Sequence, residues 1–131
     1  MTIPANLLAL IETRIEEYLR GPPDAMRACS REHRVLPVYA DMDRLLFLRP
    51  DGEILFKKNE LASSSLVPEK SEYWRLIAKL VAAEKFPELA QLVPARPPSA
   101  SDCLDCEGRG KVLNDMVRCE VCHGLGWVEP R

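Results

Sequence analysis

The sequence predicts an α+β fold in two parts, a small helix/β-hairpin/helix domain and a short cysteine-rich module at the C-terminal end. Three observations predict it. Two amphipathic segments flank a pair of apolar runs joined by a tight turn, a proline-rich stretch follows them, and four of the five cysteines lie beyond that stretch. We assign residues 1–93 to the α+β domain, 94–101 to a linker and 102–131 to the C-terminal module.

The first elements are two helices, over residues 6–20 and about 24–34. In the first, apolar residues recur at helical spacing while charged residues fill the opposite face. The apolar positions are Leu7, Leu8, Ile11, Ile15, Tyr18 and Leu19. Glycine and proline at 21–23 end this helix. The domain therefore begins with an amphipathic helix that needs a partner to cover its apolar stripe.

A β-hairpin is the clearest strand signal. Two apolar runs within residues 44–58 flank Pro50-Asp51-Gly52, whose proline and glycine supply the backbone angles of a tight turn. Residues 35–40 predict a third strand, and Pro37 favours a sheet edge because proline cannot donate a ladder hydrogen bond.

The domain ends in a second long amphipathic segment. After a serine-rich loop at 63–65, Pro68 suits the first turn of a helix that continues to about Lys85. Its predicted buried stripe consists of Trp74, Ile77, Ala78, Leu80 and Val81. Phe86-Pro87 interrupts it, and one or two further turns reach residue 93. The proline-rich segment 94–101 then predicts a stiff, extended linker.

The module beyond the linker contains an eight-residue pattern twice, as "CLDCEGRG" and "CEVCHGLG". Cys103, Cys106, Gly108 and Gly110 recur sixteen positions later as Cys119, Cys122, Gly124 and Gly126. Each C-x-x-C can form a tight turn that points both sulfur atoms at one site, and the next glycine allows a left-handed turn. About 30 residues are too few for an independent apolar core, so such a module needs a covalent or metal staple.

Zinc is the metal that this pattern favours. Two C-x-x-C turns supply four thiolates, the closed tetrahedral shell of a structural Zn²⁺ site, and soft thiolate ligands select zinc among common metals. The twelve residues between Cys106 and Cys119 are somewhat fewer than in typical zinc ribbons. Residues 111–118 can fold back around Asn114-Asp115 as a hairpin, which places one pair of cysteines over the other. We predict a zinc-knuckle, zinc ribbon-like module with Cys103, Cys106, Cys119 and Cys122 as ligands.

The C-x-x-C-x-G-x-G repeat resembles the cysteine-rich zinc region of DnaJ-type co-chaperones, in which a pair of repeats supplies the ligands of each zinc. The present chain has two repeats where that region has four, and it lacks the J-domain with its His-Pro-Asp signature. The resemblance therefore implies the metal ligands and not co-chaperone activity.

Three alternatives compete for the same cysteines. "CEVCH" at 119–123 also matches the c-type haem attachment signature, but haem would leave Cys103 and Cys106 without a role. A dithiol redox site is the second, although no βαβ pattern surrounds either motif. A catalytic zinc is the third, and four thiolates leave no open position for water.

Charge disfavours nucleic acid and membranes as partners. The net charge is −2, and residues 99–131 hold four Lys/Arg against six Asp/Glu, to which four thiolates and one Zn²⁺ would add a further formal −2. No apolar run approaches the roughly 20 residues of a membrane span. The N-terminal segment lacks the pattern of a signal peptide, so we expect a cytoplasmic protein, in which paired cysteines hold metal more often than they form disulfides.

No nucleophile elbow, phosphate-binding loop or H-E-x-x-H motif occurs, so we expect no enzyme. Cys29 is expected to be a small core residue, and Trp127 either packs over the metal site or contacts a partner. A helix, "LP" before a strand, a hairpin closed by "PDGEI" and a Trp-bearing helix resemble the SMI1/KNR4 (SUKH) group. That resemblance implies a bacterial immunity-type protein that binds and neutralises a toxin. We therefore expect a non-enzymatic zinc protein that binds another protein, with a thiol-based redox or metal sensor as the alternative.

Overall fold

The computed structural model describes residues 4–59, 65–114 and 116–129. It divides the chain into two compact units, Met1–Val93 and Pro94–Arg131. The first combines helices with an antiparallel sheet, as the sequence predicts, and the second contains short strands around four cysteines. Within the described residues, none of the helices has the length and apolar character that a bilayer crossing requires.

Two helices open the first unit, α1 over Ala5–Leu19 and α2 over Ala25–His33. The predicted apolar stripe of α1 is largely confirmed, because Leu7, Ile11 and Ile15 are buried, while Leu8 is exposed on the flank of the stripe. The carboxylate of Asp24 begins α2 by accepting a hydrogen bond from the backbone N–H of Arg27 at 2.7 Å.

The sheet has four antiparallel strands in the order β1-β2-β3-β4. Their ranges are Leu36–Ala40 for β1, Arg44–Leu48 for β2, Ile54–Lys58 for β3 and Val67–Pro68 for β4. The predicted hairpin is confirmed, since β2 pairs with β3 from Arg44 opposite Lys58 to Leu48 opposite Ile54. The turn between them uses Gly52 at φ 90°, which favours glycine. The strand predicted at 35–40 is also confirmed, and it lies at the edge of the sheet.

The long helix begins later than the sequence indicates. Pro68 lies in β4, paired with Leu55 of β3, and α3 spans Glu72–Lys85. The hydroxyl of Ser71 caps this helix by accepting a hydrogen bond from the Trp74 N–H at 3.3 Å. The prediction that Pro68 starts the helix is therefore wrong, because a sheet contact with β3 holds this residue in an extended conformation. A 3₁₀ helix over Pro87–Leu92 follows, and of the predicted serine-rich loop only Ser65 lies within the described residues.

The two faces of the sheet bury different side chains. Leu46 and Leu48 belong to the cluster that joins the sheet to α1 and α3. Phe47, the alternate residue of β2, belongs to a second cluster that includes residues of α2. Cys29 is half-buried against this second cluster, as expected for a small core residue, and burial raises the pKa of its thiol. Helices on both faces therefore stabilise the sheet.

The first unit has its own hydrophobic core, and we expect a substitution in that core to destabilise this unit. Ile11 is fully buried where α1 meets the sheet, so Ile11→Ala leaves a cavity and lowers the free energy of unfolding by about 2–5 kcal/mol. Chemical denaturation followed by circular dichroism measures this loss. The exposed neighbour Leu8 provides the control, since Leu8→Ala removes little buried surface, and an equal loss in both variants would contradict the core assignment.

The second unit consists of two short antiparallel ribbons. Strand β5 (Ser101–Asp102) pairs with β8 (Trp127–Val128), and β6 (Lys111–Val112) pairs with β7 (Val117–Arg118). The segment 94–101, which the sequence predicts as an extended linker, turns back within this unit. The Ala100 N–H donates to the Pro97 carbonyl at 3.0 Å, and the Arg96 guanidinium contacts the Asp102 carboxylate at 2.7 Å. A turn at 97–100 and an ion pair between exposed side chains therefore join this segment to the first strand of the module.

Candidate metal centre

The four cysteines of the two repeats meet at one point in the second unit. Their Sγ atoms all lie within 4.8 Å of one another, and each side chain is at most 2% exposed. The Sγ atoms of Cys103 and Cys119 are 3.8 Å apart, and those of Cys106 and Cys122 are 3.7 Å apart. The structure therefore brings together all four residues that the sequence predicts as ligands.

These distances match a tetrahedral thiolate site. Four sulfur atoms at about 2.3 Å from a central ion are separated from each other by about 3.8 Å in a regular tetrahedron. Two of the measured separations have this value, and no pair exceeds 4.8 Å. The four thiols can hold one metal ion without a large movement of the backbone.

Backbone amides orient the second sulfur atom of each repeat. The Gly110 N–H donates to Cys106 Sγ at 3.1 Å, and the Gly126 N–H donates to Cys122 Sγ at 3.2 Å. Hydrogen bonds of this kind stabilise a thiolate and fix its direction, as outer contacts do around metal ligands generally. In each repeat the donor is the backbone amide four residues after the second cysteine.

The two repeats are related by an internal two-fold pattern of hydrogen bonds. The Cys103 N–H donates to the Gly126 carbonyl at 3.0 Å, and the Cys119 N–H donates to the Gly110 carbonyl at 2.9 Å. The ribbons follow the same rule, because a shift of sixteen residues converts the β5–β8 pairing into the β7–β6 pairing. Each repeat thus completes the other, and neither forms this site alone.

The repeated glycines have two different roles. Gly108 and Gly124 adopt φ values of 80° and 100°, the left-handed turn that the sequence predicts. Gly110 and Gly126 also have positive φ, but in addition they lie against the backbone of the opposite repeat. A Cβ atom at either would stand 2.6 Å from a glycine carbonyl oxygen, that of Gly124 or Gly108 respectively. This close approach is what brings the two pairs of cysteines into contact.

Because the four thiols lie close together, their pKa values differ. For Cys106, burial opposes ionisation, but the Gly110 N–H and the neighbouring thiols outweigh it and lower the pKa to about 7. For Cys103, the backbone N–H of Cys106 favours the thiolate, while burial and the thiols of Cys106 and Cys119 raise the pKa to about 11. Burial raises the pKa of Cys122 as well. Four buried thiols in contact therefore do not ionise together unless a cation compensates their charge.

Trp127 lies in β8, half-buried and opposite Asp102. It lines a cleft of about 330 Å³ beside the second repeat. The other side chains of this cleft include Pro94, Val121 and Leu125, which sequence reasoning did not single out. A comparison of the two repeats is the available signal, because three of their five variable positions are charged in the first repeat and apolar in the second: Asp105 and Val121, Arg109 and Leu125, and Lys111 and Trp127.

The arrangement favours metal binding over the other uses of these cysteines. Both sulfur atoms of "CEVCH" lie in the four-cysteine cluster, whereas haem attachment would require them to point away from it. The burial of all four thiols also limits their access to substrates and oxidants. Comparison of the chain with protein-family models, curated proteins and solved structures finds no match, so its resemblances to the DnaJ-type repeats and to the SUKH group rest on sequence motifs alone.

Proposed function

We propose that Cys103, Cys106, Cys119 and Cys122 hold one zinc ion in a structural site, and that the protein acts by binding another protein. The observation that carries the proposal is the cluster of four buried Sγ atoms with the separations of a tetrahedral shell. Thiolate ligands in this geometry select zinc among the common divalent metals. Bound zinc would supply the positive charge that allows four adjacent thiols to ionise.

A structural role follows from what surrounds the cluster. Among the described residues of the second unit, the buried apolar cluster consists of the four cysteines, and the apolar residues that pack against it are only partly buried, namely Val112, Leu125 and Val128. So small an apolar core does not hold a unit of this size together, and metal binding supplies the missing free energy. The same four ligands leave no coordination position for water or a substrate, which supports a non-enzymatic function.

Protein binding is supported by the surface of the module. Large apolar side chains are exposed around the cysteine cluster, at Leu104, Leu113, Met116 and Val121. The excess of acidic residues, together with the formal charge of a loaded site, repels phosphate and disfavours nucleic acid. By its resemblance to the SUKH group, the first unit fits an immunity-type protein of a bacterial cytoplasm, with a toxin as the partner.

Metal content tests the proposed site. We expect elemental analysis of the purified protein to give one zinc per chain, and Cys106→Ser to lower that ratio close to zero. Cys29→Ser is the matched control, because Cys29 is a thiol of the first unit, outside the cluster, and it should leave the ratio unchanged. Protein without zinc, or with disulfides between the clustered cysteines under reducing expression, would contradict the assignment.

A thiol-based sensor would use the same residues but respond to oxidants. Zinc-bound, buried thiolates have their lone pairs committed to the metal, so mild peroxide should leave the zinc content unchanged and partner binding intact. A sensor must release zinc when its cysteines form disulfides. Zinc release at peroxide levels that oxidise known thiol sensors, measured with a chromogenic chelator and reversed by a reductant, would favour the sensor instead.

A further inference from the structure

The two repeats have the same backbone but opposite surfaces. Three hydrogen bonds recur in both repeats and agree within 0.1 Å, for example 3.1 and 3.1 Å from the third residue after the second cysteine to that cysteine's carbonyl. At four of the five variable positions, however, the first repeat has charged residues and the second has none that is permanently charged, while at the fifth the order is reversed, with Leu104 in the first repeat and Glu120 in the second. The pairs are Asp105 and Val121, Glu107 and His123, Arg109 and Leu125, and Lys111 and Trp127.

Folding does not account for this difference. Since the first repeat forms its turn and ribbon with four charged side chains, the backbone geometry does not require apolar residues at these positions. Val121 is 53% exposed and lines the same cleft as Leu125 and Trp127, so the apolar side chains of the second repeat are contiguous. At these four positions the first repeat serves as an internal reference for what the fold needs, and the second repeat places contiguous apolar side chains at three of them.

This surface lines a shallow, open cleft with charged residues around it. Trp127, Leu125, Val121 and Pro94 line a space of about 330 Å³, enough for a small number of side chains. Glu129 and His123 also line it, and Glu120, which is exposed, precedes Val121 in the sequence. The loaded cysteine site behind it would add a net formal charge of −2. An apolar floor with acidic surroundings is complementary to an apolar side chain that has basic neighbours.

We propose that this cleft, the repeat-2 cleft, is the surface that docks a short segment of a partner protein with an apolar side chain flanked by lysine or arginine. The proposal rests on the protein-binding function proposed above and assigns that function to one face of the second unit. The apolar side chain would occupy the space beside Trp127, and the basic neighbours would face Glu120 and Glu129.

Labelled peptides test the repeat-2 cleft in the full-length, zinc-loaded protein. The probes are short fluorescein-labelled peptides with a central leucine, phenylalanine or proline, flanked by lysines in one set and by glutamates in the other. Fluorescence anisotropy should show that lysine-flanked peptides bind about tenfold more tightly at low salt, and that the preference decreases in high salt. Trp127 emission, isolated in a Trp74→Phe background, should change on binding.

Matched substitutions at symmetric positions locate the binding. Val121→Ser should weaken binding of the lysine-flanked peptides about tenfold, and Asp105→Ser, the same change sixteen residues earlier, should leave it unaltered. Both positions are exposed, so zinc content should be unchanged in both variants. This readout separates loss of docking from loss of the metal site.

Several outcomes would overturn the proposal. These are no binding by any peptide, equal binding of the lysine and glutamate sets, or equal effects of Val121→Ser and Asp105→Ser. Tighter binding of a labelled single-stranded oligonucleotide, weakened by Val121→Ser, would assign the cleft to nucleic acid instead. The proposed zinc site is untouched by each of these results, because zinc content tests it separately.

Discussion

Cys103→Ser is expected to unfold the second unit and leave the first unit folded. Cys103 is fully buried, and its Sγ lies 3.8 Å from that of Cys119. Loss of one ligand removes most of the metal-coupled folding free energy, which is about 10 kcal/mol or more for structural zinc sites. The α-helices described here, α1, α2 and α3, all belong to the first unit. The far-ultraviolet helical signal should therefore be retained, while amide signals of residues 101–129 collapse to random-coil positions in NMR spectra.

The same experiment tests the division into two units. The cysteine cluster belongs to the unit Pro94–Arg131, and the other buried clusters belong to Met1–Val93, so the cooperative unfolding transition of the first unit should be preserved in the variant. Zinc removal from the natural protein by a strong chelator should reproduce the variant. Loss of helical signal throughout the chain would instead indicate one shared core.

Gly110→Ala is expected to disrupt the metal site far more than Gly108→Ala. Both glycines have φ of 80°, so alanine pays the same conformational cost at each, about 1–2 kcal/mol. Only at Gly110 would the new Cβ also meet backbone, 2.6 Å from the Gly124 carbonyl oxygen. At Gly108 the nearest atom is Asp102 Cγ at 3.3 Å, in an exposed side chain that can move.

At Gly110 the clash between the new Cβ and the opposite backbone adds about 1–3 kcal/mol to the conformational cost. Under the proposed coupling of folding to zinc binding, the loss would appear as reduced zinc affinity. We expect a decrease of about 100-fold or more for Gly110→Ala and of about tenfold for Gly108→Ala, measured by competition with a chelator of known affinity. Equal decreases would show that the close contact between the repeats does not support the site.

The cluster of four cysteines could be predicted from sequence because its geometry is local. A C-x-x-C turn fixes two sulfur atoms, and the sixteen-residue repeat of cysteine and glycine pairs the two turns. What sequence did not reveal is the contact that brings the turns together. A positive φ is enough to account for glycine at positions 110 and 126 without reference to any other residue. The close approach of Gly110 and Gly126 to the backbone of the opposite repeat exists only once the two repeats have folded together.

In the first unit too, contacts between residues that are distant in the sequence could not be predicted. The hairpin was predictable because the turn at 50–52 and its flanking runs are contiguous. The start of α3 was not predicted, because Pro68 is consistent with a helix start as well as with an edge strand, and only its pairing with Leu55 decides between them. Ser71, three residues before Trp74, was the capping signal that marks the true start.

X-ray absorption at the zinc edge tests the central claim most directly. It reports the number, identity and distance of the atoms bound to the metal in the purified full-length protein. We expect four sulfur atoms at about 2.3 Å and no nitrogen or oxygen in the shell. A shell that includes a nitrogen or oxygen at about 2.0–2.1 Å, such as a histidine or a water in place of one cysteine, would contradict a closed four-cysteine site.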